Sequence, residues 1–149
     1  MKLFSSFDVS GSGLSAQRLR MDVLSNNIAN VNTTRTAEGG PYRRQRVVFE
    51  ARKEDAAFLL PSRARRAAGA EVGAGVRVTS ILPDPAEAKQ VYDPGHPDAD
   101  QRGYVAMPNI SLVNEMVDMI SATRAYEANV AAINSAKSMA LKALDIGKA

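Results

Sequence analysis

The chain has 149 residues, with 19 basic and 16 acidic side chains and a formal net charge of +3. This length suits one domain or two small units that share a helical stem, and so small a charge does not by itself imply a nucleic-acid partner. Cysteine is absent, which argues against a disulfide framework or a zinc ribbon. No apolar run reaches the roughly 18 residues of a membrane-spanning helix, and the N-terminus lacks the apolar core of a signal peptide.

The first segment, residues 1–34, is predicted to form a helix after a flexible break at residues 10–13. Large apolar residues recur along it at steps that place them on one helical face. They are Leu14, Met21, Leu24, Ile28 and Val31. We expect this face to pack on a helix at the other end of the chain.

Asparagines crowd the end of this first helix, although asparagine is a poor helix former. Asn26 and Asn30 lie four residues apart on one face, and Asn27 stands beside them. Two interpretations stay open. The helix end frays into a loop, or the amides hydrogen-bond to other chains, as buried asparagines do where they set register.

The middle segment, residues 35–108, changes to glycine, proline and short β-like runs. Four short strands are predicted by alternation and by the turn residues around them. They cover residues 44–49, 76–82, 89–92 and 103–105. Residues 51–74 are rich in alanine and arginine and are predicted to form an extended excursion or a mobile loop, with a short helix at residues 56–60 as an alternative.

The last two strands are predicted to form a hairpin around a structural turn. Pro94 and Gly95 suit the centre of a type II turn, and Pro97 stiffens the segment. The same stretch holds the best metal candidate, because oxygen ligands at short steps could bind a hard cation in a loop. Those residues are Asp93, His96, Asp98 and Asp100. Since aspartate, proline and glycine also build ordinary turns, the prediction is a turn and no metal site.

Catalytic chemistry has little to use in this sequence. His96 is the only histidine, and there is no cysteine nucleophile. No glycine-rich phosphate loop follows a strand, and no serine has the glycine-flanked elbow of a hydrolase. We therefore predict that the chain is not an enzyme and has no cofactor and no small-molecule substrate.

The third segment, residues 109–149, is predicted to be one long helix. It contains no proline, and its one glycine is Gly147. Residues at alternating steps of four and three predict a heptad seam. These residues are Leu112, Met116, Met119, Thr123, Tyr126, Val130, Ile133, Lys137, Ala140 and Leu144. Val113, Val117 and Ile120 form a second apolar line beside this seam. Together the two lines make an apolar face wider than one partner helix can cover.

Matched apolar stripes at the two ends of one chain predict an α+β fold, in which an antiparallel coiled-coil stem of two helices carries a small β-rich middle segment. The second apolar line predicts contacts with neighbouring copies, because a contact that does not close builds a helical tube. The residues predicted for the stem and its subunit interface are Leu14, Met21, Leu24, Asn26, Asn27, Ile28, Asn30, Val31, Val113, Met116, Val117, Met119, Ile120, Tyr126, Val130 and Ile133.

The main alternative is a soluble helical binding module, for example a basic protein associated with nucleic acid. It depends on the arginines between residues 43 and 66. Nucleic-acid binding would require aromatic side chains interleaved for stacking, or a recognisable module. Few aromatics are near, and acidic residues dilute the charge, so a solvated or subunit-facing surface is favoured.

Five motifs are distributed along the chain: SGLSAQRLR (12–20), SNNIANVNT (25–33), VYDPGHPDAD (91–100), GYVAMPN (103–109) and RAYEAN (124–129). Together they resemble the bacterial flagellar rod and hook proteins, and most of all the C-type proximal rod proteins. The asparagine run by itself indicates only the wider axial family. Its combination with the other motifs is specific and covers most of the chain outside residues 51–74.

The resemblance implies a structural subunit of the flagellar basal-body proximal rod. Such proteins polymerise in the periplasm into the drive shaft that transmits torque and surrounds the export channel. They leave the cell through the flagellar type III export apparatus without a cleaved signal peptide. The implied partners are copies of the chain, other rod proteins, the adaptor that joins rod to membrane ring, and the export apparatus, with no nucleic acid among them.

Overall fold

The computed structural model describes residues 3–52 and 73–147. Within these residues a helix lies at each end of the chain and short strands lie between them. The elements are α1 (Leu3–Ala29), β1 (Gln45–Ala51), β2 (Val76–Pro83), β3 (Lys89–Tyr92), β4 (Tyr104–Met107) and α2 (Leu112–Ile146). This architecture confirms the predicted α+β class. The excursion predicted for residues 51–74, with its alternative helix at 56–60, lies almost wholly outside the described residues.

The chain divides into two compact units, and both helices contribute to each of them. The first unit contains Met1–Arg18, Phe49–Thr79 and Arg124–Ala149, and the second contains Leu19–Val48 and Ser80–Thr123. Neither described helix has an apolar run with the length and hydropathy needed to cross a membrane.

In the first unit, α1 is unbroken across residues 10–13, so the predicted break was wrong. The hydroxyl of Ser12 donates a hydrogen bond to the carbonyl of Val9 (2.7 Å) and accepts one from the backbone N–H of Val76 (3.0 Å). Gly13 lies so close to α2 that a Cβ there would be 2.9 Å from Oδ1 of Asn129. These tertiary contacts need small side chains, and they offset the low helix propensity of serine and glycine.

In the second unit, α1 and α2 run antiparallel, as predicted. Asn27 of α1 bonds to Glu115, the fourth residue of α2, whereas Arg20, earlier in α1, bonds to the later Asp118. The apolar residues buried in this unit are Val23, Leu24, Val105 and Ala122. The core is small, because alanine and valine supply most of it.

The buried face of α2 differs from the predicted seam at every second position. Glu115, Ala122 and Ala136 are buried, and Asn129 is half-buried, each one residue before a predicted seam position. The corresponding predicted residues are exposed: Met116, Thr123, Lys137 and Val130. The alternate positions Met119, Tyr126, Ile133 and Ala140 are half-buried. Ala122 and Ala136 are small, and Asn129 faces Gly13, so small side chains at these contacts let the helices approach closely. Glu115 is buried for another reason, since it bonds to Asn27.

The strands form two separate pairs, β1 with β2 and β3 with β4. The second pair is antiparallel, with Lys89 opposite Met107 and Tyr92 opposite Tyr104. All four strands lie within two residues of their predicted bounds. Their positions could be predicted because the residue types of the runs suit strands and because proline or glycine lies near both ends of all of them except the end of β1.

The turn between β3 and β4 is not of type II, so that prediction was wrong. Gly95 does not have a positive φ, whereas Gly103 does (79°). The N–H of His96 donates to the carbonyl of Asp93 (3.3 Å), and the Asp93 carboxylate accepts the N–H of Gly95 (3.2 Å). An aspartate at the first position of a turn favours type I, and its side-chain bond explains why Gly95 keeps an ordinary backbone conformation.

Candidate assembly surface

A row of large apolar side chains lies uncovered along the first turns of α2, in the second unit. We call it the α2 stripe. Its members are Leu112, Val113, Met116, Val117 and Ile120, each between 44% and 69% exposed. An α-helix turns by about 100° per residue, so the five share one face. Farther along α2 the same face carries Arg124 and Glu127, so the stripe ends at Ile120.

The α2 stripe exposes a larger apolar area than a single apolar residue on a protein surface would. Five neighbouring side chains leave on the order of several hundred Å² of apolar surface in water, a size that marks interaction sites on soluble proteins. The opposite face of the same helix is buried through Glu115 and Ala122. The stripe is therefore available to another chain while α2 remains packed on its own.

A buried polar junction in the same unit joins α1, β1 and α2. Asn27 is 0% exposed and forms four side-chain hydrogen bonds. Its Nδ2 donates to the carbonyl of Gln45 (2.9 Å) and to Oε2 of Glu115 (3.0 Å). Its Oδ1 accepts from the N–H of Gln45 (2.9 Å) and from the hydroxyl of Tyr42 (3.1 Å). All hydrogen-bonding groups of the Asn27 amide are thus paired inside the chain.

The charge of Glu115 is compensated although its side chain is only 1% exposed. Nε of Arg44 donates to Oε1 of Glu115 at 2.5 Å, and the same guanidinium lies 3.5 Å from Oδ2 of Asp118 and 3.8 Å from Oδ2 of Asp84. A buried carboxylate is tolerated only with such pairing. The junction therefore holds the first turns of α2 in one rotation, with the α2 stripe outward.

The same junction shifts the pKa of the Tyr42 phenol. Burial, and after it the negative charge of Glu115, raises the pKa of the Tyr42 phenol above its usual value of 10.0. Both causes favour the protonated phenol, which is the form that donates to Asn27.

The other asparagines of the first helix also bond within their own chain. Nδ2 of Asn30 donates to the carbonyl and to Oδ1 of Asn26, both at 2.9 Å, and Thr33 donates to Oδ1 of Asn30 (3.1 Å). Nδ2 of Asn26 lies 3.4 Å from the Tyr42 hydroxyl. These amides order the helix end locally, which contradicts simple fraying. That the asparagines bond to other chains stays a prediction.

The remaining residues that were predicted for the stem and the subunit interface differ in how far they are buried. Leu24 is buried, while Leu14, Met21, Ile28, Val31, Met119, Tyr126 and Ile133 are half-buried. Val113, Met116, Val117, Ile120 and Val130 are exposed. Their role at a subunit interface stays a prediction. The sequence did not reveal Tyr42, Gln45 and Glu115 as partners of Asn27, since no local pattern links residues so far apart in the chain.

The acidic residues around the hairpin turn are occupied by bonds to nearby groups. Oδ1 of Asp100 accepts the N–H groups of Arg102 (2.8 Å) and Tyr104 (2.9 Å), and Oδ2 of Asp98 accepts the hydroxyl of Thr34 (2.8 Å). Across residues 3–52 and 73–147, no group of three or more acidic, histidine or cysteine side chains is arranged to hold a metal ion. Pro94, Gly95 and Pro97 lie in this turn.

Both helical ends of the chain match flagellar families. Residues 7–35 match the family described as "Flagella basal body rod protein", and residues 101–146 match "Flagellar basal body rod FlgEFG protein C-terminal". These matches cover most of α1 and all of α2, the two helices that form the stem. The fold and the matches together define a flagellar basal-body rod protein.

Full-length relatives narrow the family further. The chain is 55% identical to the flagellar basal-body rod protein FlgC of Borreliella burgdorferi, over 98% of both chains. It is 47% identical to FlgC of Bacillus subtilis and 40% identical to FlgC of Salmonella typhimurium, in each case over 99% of this chain and 100% of the relative. The chain belongs to the FlgC family. It is a structural subunit of the basal-body proximal rod, which confirms the predicted resemblance and role.

Proposed function

We propose that the α2 stripe is the surface through which this subunit joins its neighbours in the rod. The observation that carries the proposal is the exposure of Leu112, Val113, Met116, Val117 and Ile120 opposite a buried face of the same helix. Covering such a row releases the water that contacts it, and burial of one valine or isoleucine contributes roughly 1.5–3 kcal/mol. The neighbours are copies of the chain and other rod proteins.

The stripe faces outward because the polar junction fixes the rotation of α2. Glu115 lies within the sequence of the stripe but points the other way, into Asn27 and Arg44. A rotation of α2 that buried the stripe against its own chain would expose or unpair this carboxylate. The junction thus favours contact with a neighbour over closure within one subunit.

We infer the wider function from the family to which the chain belongs. The stem, formed by segments 1–34 and 109–149, belongs to the inner part of a tube that surrounds the export channel, and the β-rich segment 35–108 belongs to its outer layer. The subunit carries torque as part of the drive shaft and has no catalytic role. It reaches the periplasm through the flagellar type III export apparatus without a cleaved signal peptide, and it contacts the adaptor between rod and membrane ring. The family resemblance and the antiparallel stem support this proposal.

The test introduces a charge into the α2 stripe. Val117 is 60% exposed, so Val117→Asp should leave the stability of the free subunit within about 0.5 kcal/mol, as expected for a surface substitution. Burying that carboxylate unpaired at a subunit contact would cost several kcal/mol. We therefore expect loss of motility in a complemented strain and little of the variant in purified basal bodies.

The matched control is Ser121→Asp, which adds the same charge four residues later at an exposed position beside the stripe. It should support normal motility. If Val117→Asp is found in basal bodies at the level of the unaltered protein, the α2 stripe is not the contact surface. If both variants fail equally, added charge anywhere on α2 is responsible, and the assignment to the stripe is wrong.

A further inference from the structure

Methionine is the most easily oxidised residue type in this chain, which contains neither cysteine nor tryptophan. Hydrogen peroxide converts its thioether to a sulfoxide: the sulfur loses two electrons and gains one oxygen atom, and the peroxide is reduced to water. The thioether is flexible and apolar, whereas the sulfoxide is polar and accepts hydrogen bonds. The place of each methionine in the fold therefore decides what its oxidation would change.

Five of the six methionines, all but Met1, lie in the described part of the chain, and they differ in exposure. Met116 is 52% exposed and Met139 is 61% exposed. The other three are half-buried: Met21, Met107 and Met119. The sulfur of Met21 also accepts a hydrogen bond from the hydroxyl of Thr123 (3.6 Å). Because a peroxide in water must reach the sulfur, the two exposed methionines should react first.

Met116 lies at the centre of the α2 stripe. Residues three and four positions away are its neighbours on the helix surface. All four of these neighbours are apolar: Leu112, Val113, Met119 and Ile120. None of their side chains is a hydrogen-bond donor. The oxygen of a sulfoxide at position 116 would therefore depend on water for its hydrogen bonds.

The polar junction keeps residue 116 on the outer face of α2. Glu115, the preceding residue, is 1% exposed and is paired with Arg44 and Asn27. A rotation of α2 that hid an oxidised side chain would unpair this buried carboxylate. The sulfoxide therefore stays in the surface that a neighbour covers, and an apolar neighbour would leave its oxygen without a donor.

We propose that Met116 is an oxidation site at which conversion to the sulfoxide in the free subunit blocks the α2 stripe and prevents that subunit from joining the rod, an inference that rests on the proposed function of the stripe. The oxidant is a peroxide. Oxidation acts before assembly, because the neighbour that covers the stripe in the rod shields the sulfur. Incorporation of the subunit is thereby sensitive to the redox state of its surroundings.

The first measurement is the rate of sulfoxide formation at each methionine. The purified full chain is treated with hydrogen peroxide, and peptide mass spectrometry follows each site over time. Met116 should react roughly three-fold or more faster than the half-buried Met21 and Met107, and by a similar factor faster in the free chain than in purified basal bodies. Equal rates at Met116 and Met21, or at Met116 in the free and the assembled chain, would overturn the proposal.

A competition inside one cell tests the effect on assembly. A strain makes the unaltered chain together with Met116→Leu, and mass spectrometry at position 116 gives their ratio in basal bodies, divided by their ratio in whole cells. The measured quantity is the change in this value when hydrogen peroxide is present during assembly, so any effect of leucine itself and any general damage cancel. Since leucine has no sulfur, peroxide should shift the value roughly three-fold or more in favour of Met116→Leu.

The matched control is Met139→Leu, which removes the other exposed sulfur. In the same competition, peroxide should leave its ratio to the unaltered chain where it was. An equal shift for both leucine variants would place the effect outside the α2 stripe. Absence of a shift for Met116→Leu would show that oxidation of Met116 does not prevent incorporation. Either result overturns the proposal.

The Val117→Asp test needs no oxidant, so it reports on the α2 stripe by itself. If Val117→Asp is excluded from basal bodies and peroxide does not shift the ratio for Met116→Leu, only the oxidation proposal is wrong. If Val117→Asp is incorporated normally, the stripe is not the contact surface, and the block by oxidation is refuted with it even where Met116 is the most reactive site.

Discussion

The most sensitive position in the chain should be Asn27. Truncation to alanine removes four hydrogen bonds and leaves the N–H and C=O of Gln45, Oε2 of Glu115 and the hydroxyl of Tyr42 without their partner. An unsatisfied buried group costs about 1–3 kcal/mol, and more when it is charged. Gln45 and Tyr42 are half-buried, so water can replace part of the loss.

These terms give a loss of about 3–5 kcal/mol in the free energy of unfolding for Asn27→Ala, by the cost of each unpaired group. Domains of this kind have a total stability of about 5–15 kcal/mol, so the variant should be close to unfolding. Asn27→Asp should be at least as damaging, because it keeps the shape but replaces the two donor bonds with a second carboxylate beside Glu115.

Urea unfolding of the purified chain, followed by far-ultraviolet circular dichroism, measures this change. The control is Asn32→Ala, since Asn32 is exposed and makes no side-chain hydrogen bond with a described residue. It should change stability by less than about 0.5 kcal/mol, as is usual for the surface. If Asn27→Ala costs under 1 kcal/mol, or no more than Asn32→Ala, the polar junction does not hold the second unit together.

Two further predictions concern the hairpin and the junction. Gly103→Ala should lower the free energy of unfolding by about 1–3 kcal/mol, because it forces a side chain into a positive φ and within 2.9 Å of Cε2 of Tyr92. The control Gly95→Ala should be nearly neutral, since only Asp93 lies near that position, at 3.6 Å. Equal urea midpoints for the two variants would refute this prediction. The raised pKa of Tyr42 means that the folded chain holds the phenol proton more tightly than the unfolded chain, so this contribution is complete below about pH 10 and is lost as pH rises through the folded pKa. Tyr42→Phe should flatten the fall in stability above pH 10, and an unchanged alkaline profile would contradict the assignment.

The sequence by itself determined the elements and their order. Residues 109–149 lack proline and carry a heptad pattern, which is sufficient for a long helix, and proline or glycine lies near most ends of the strands. The apolar line of Val113, Val117 and Ile120 was also legible, because it exceeds what one helix can cover. The pairing of the two end helices follows from their matching apolar stripes. The family was recognisable from short motifs that lie in these same elements.

Tertiary structure decided which face of each helix is buried. A heptad pattern read from large side chains pointed to Met116, whereas the contact with α1 uses its neighbour Glu115, which is compensated by Arg44 and Asn27 from distant parts of the chain. Close approach at Gly13 likewise kept α1 continuous through a stretch of poor helix formers. Alanine and glycine look alike in sequence whether buried or exposed, and a charge reveals no partner until the fold supplies it. The rotation of α2, and with it the exposure of its stripe, therefore depends on contacts that no local pattern contains.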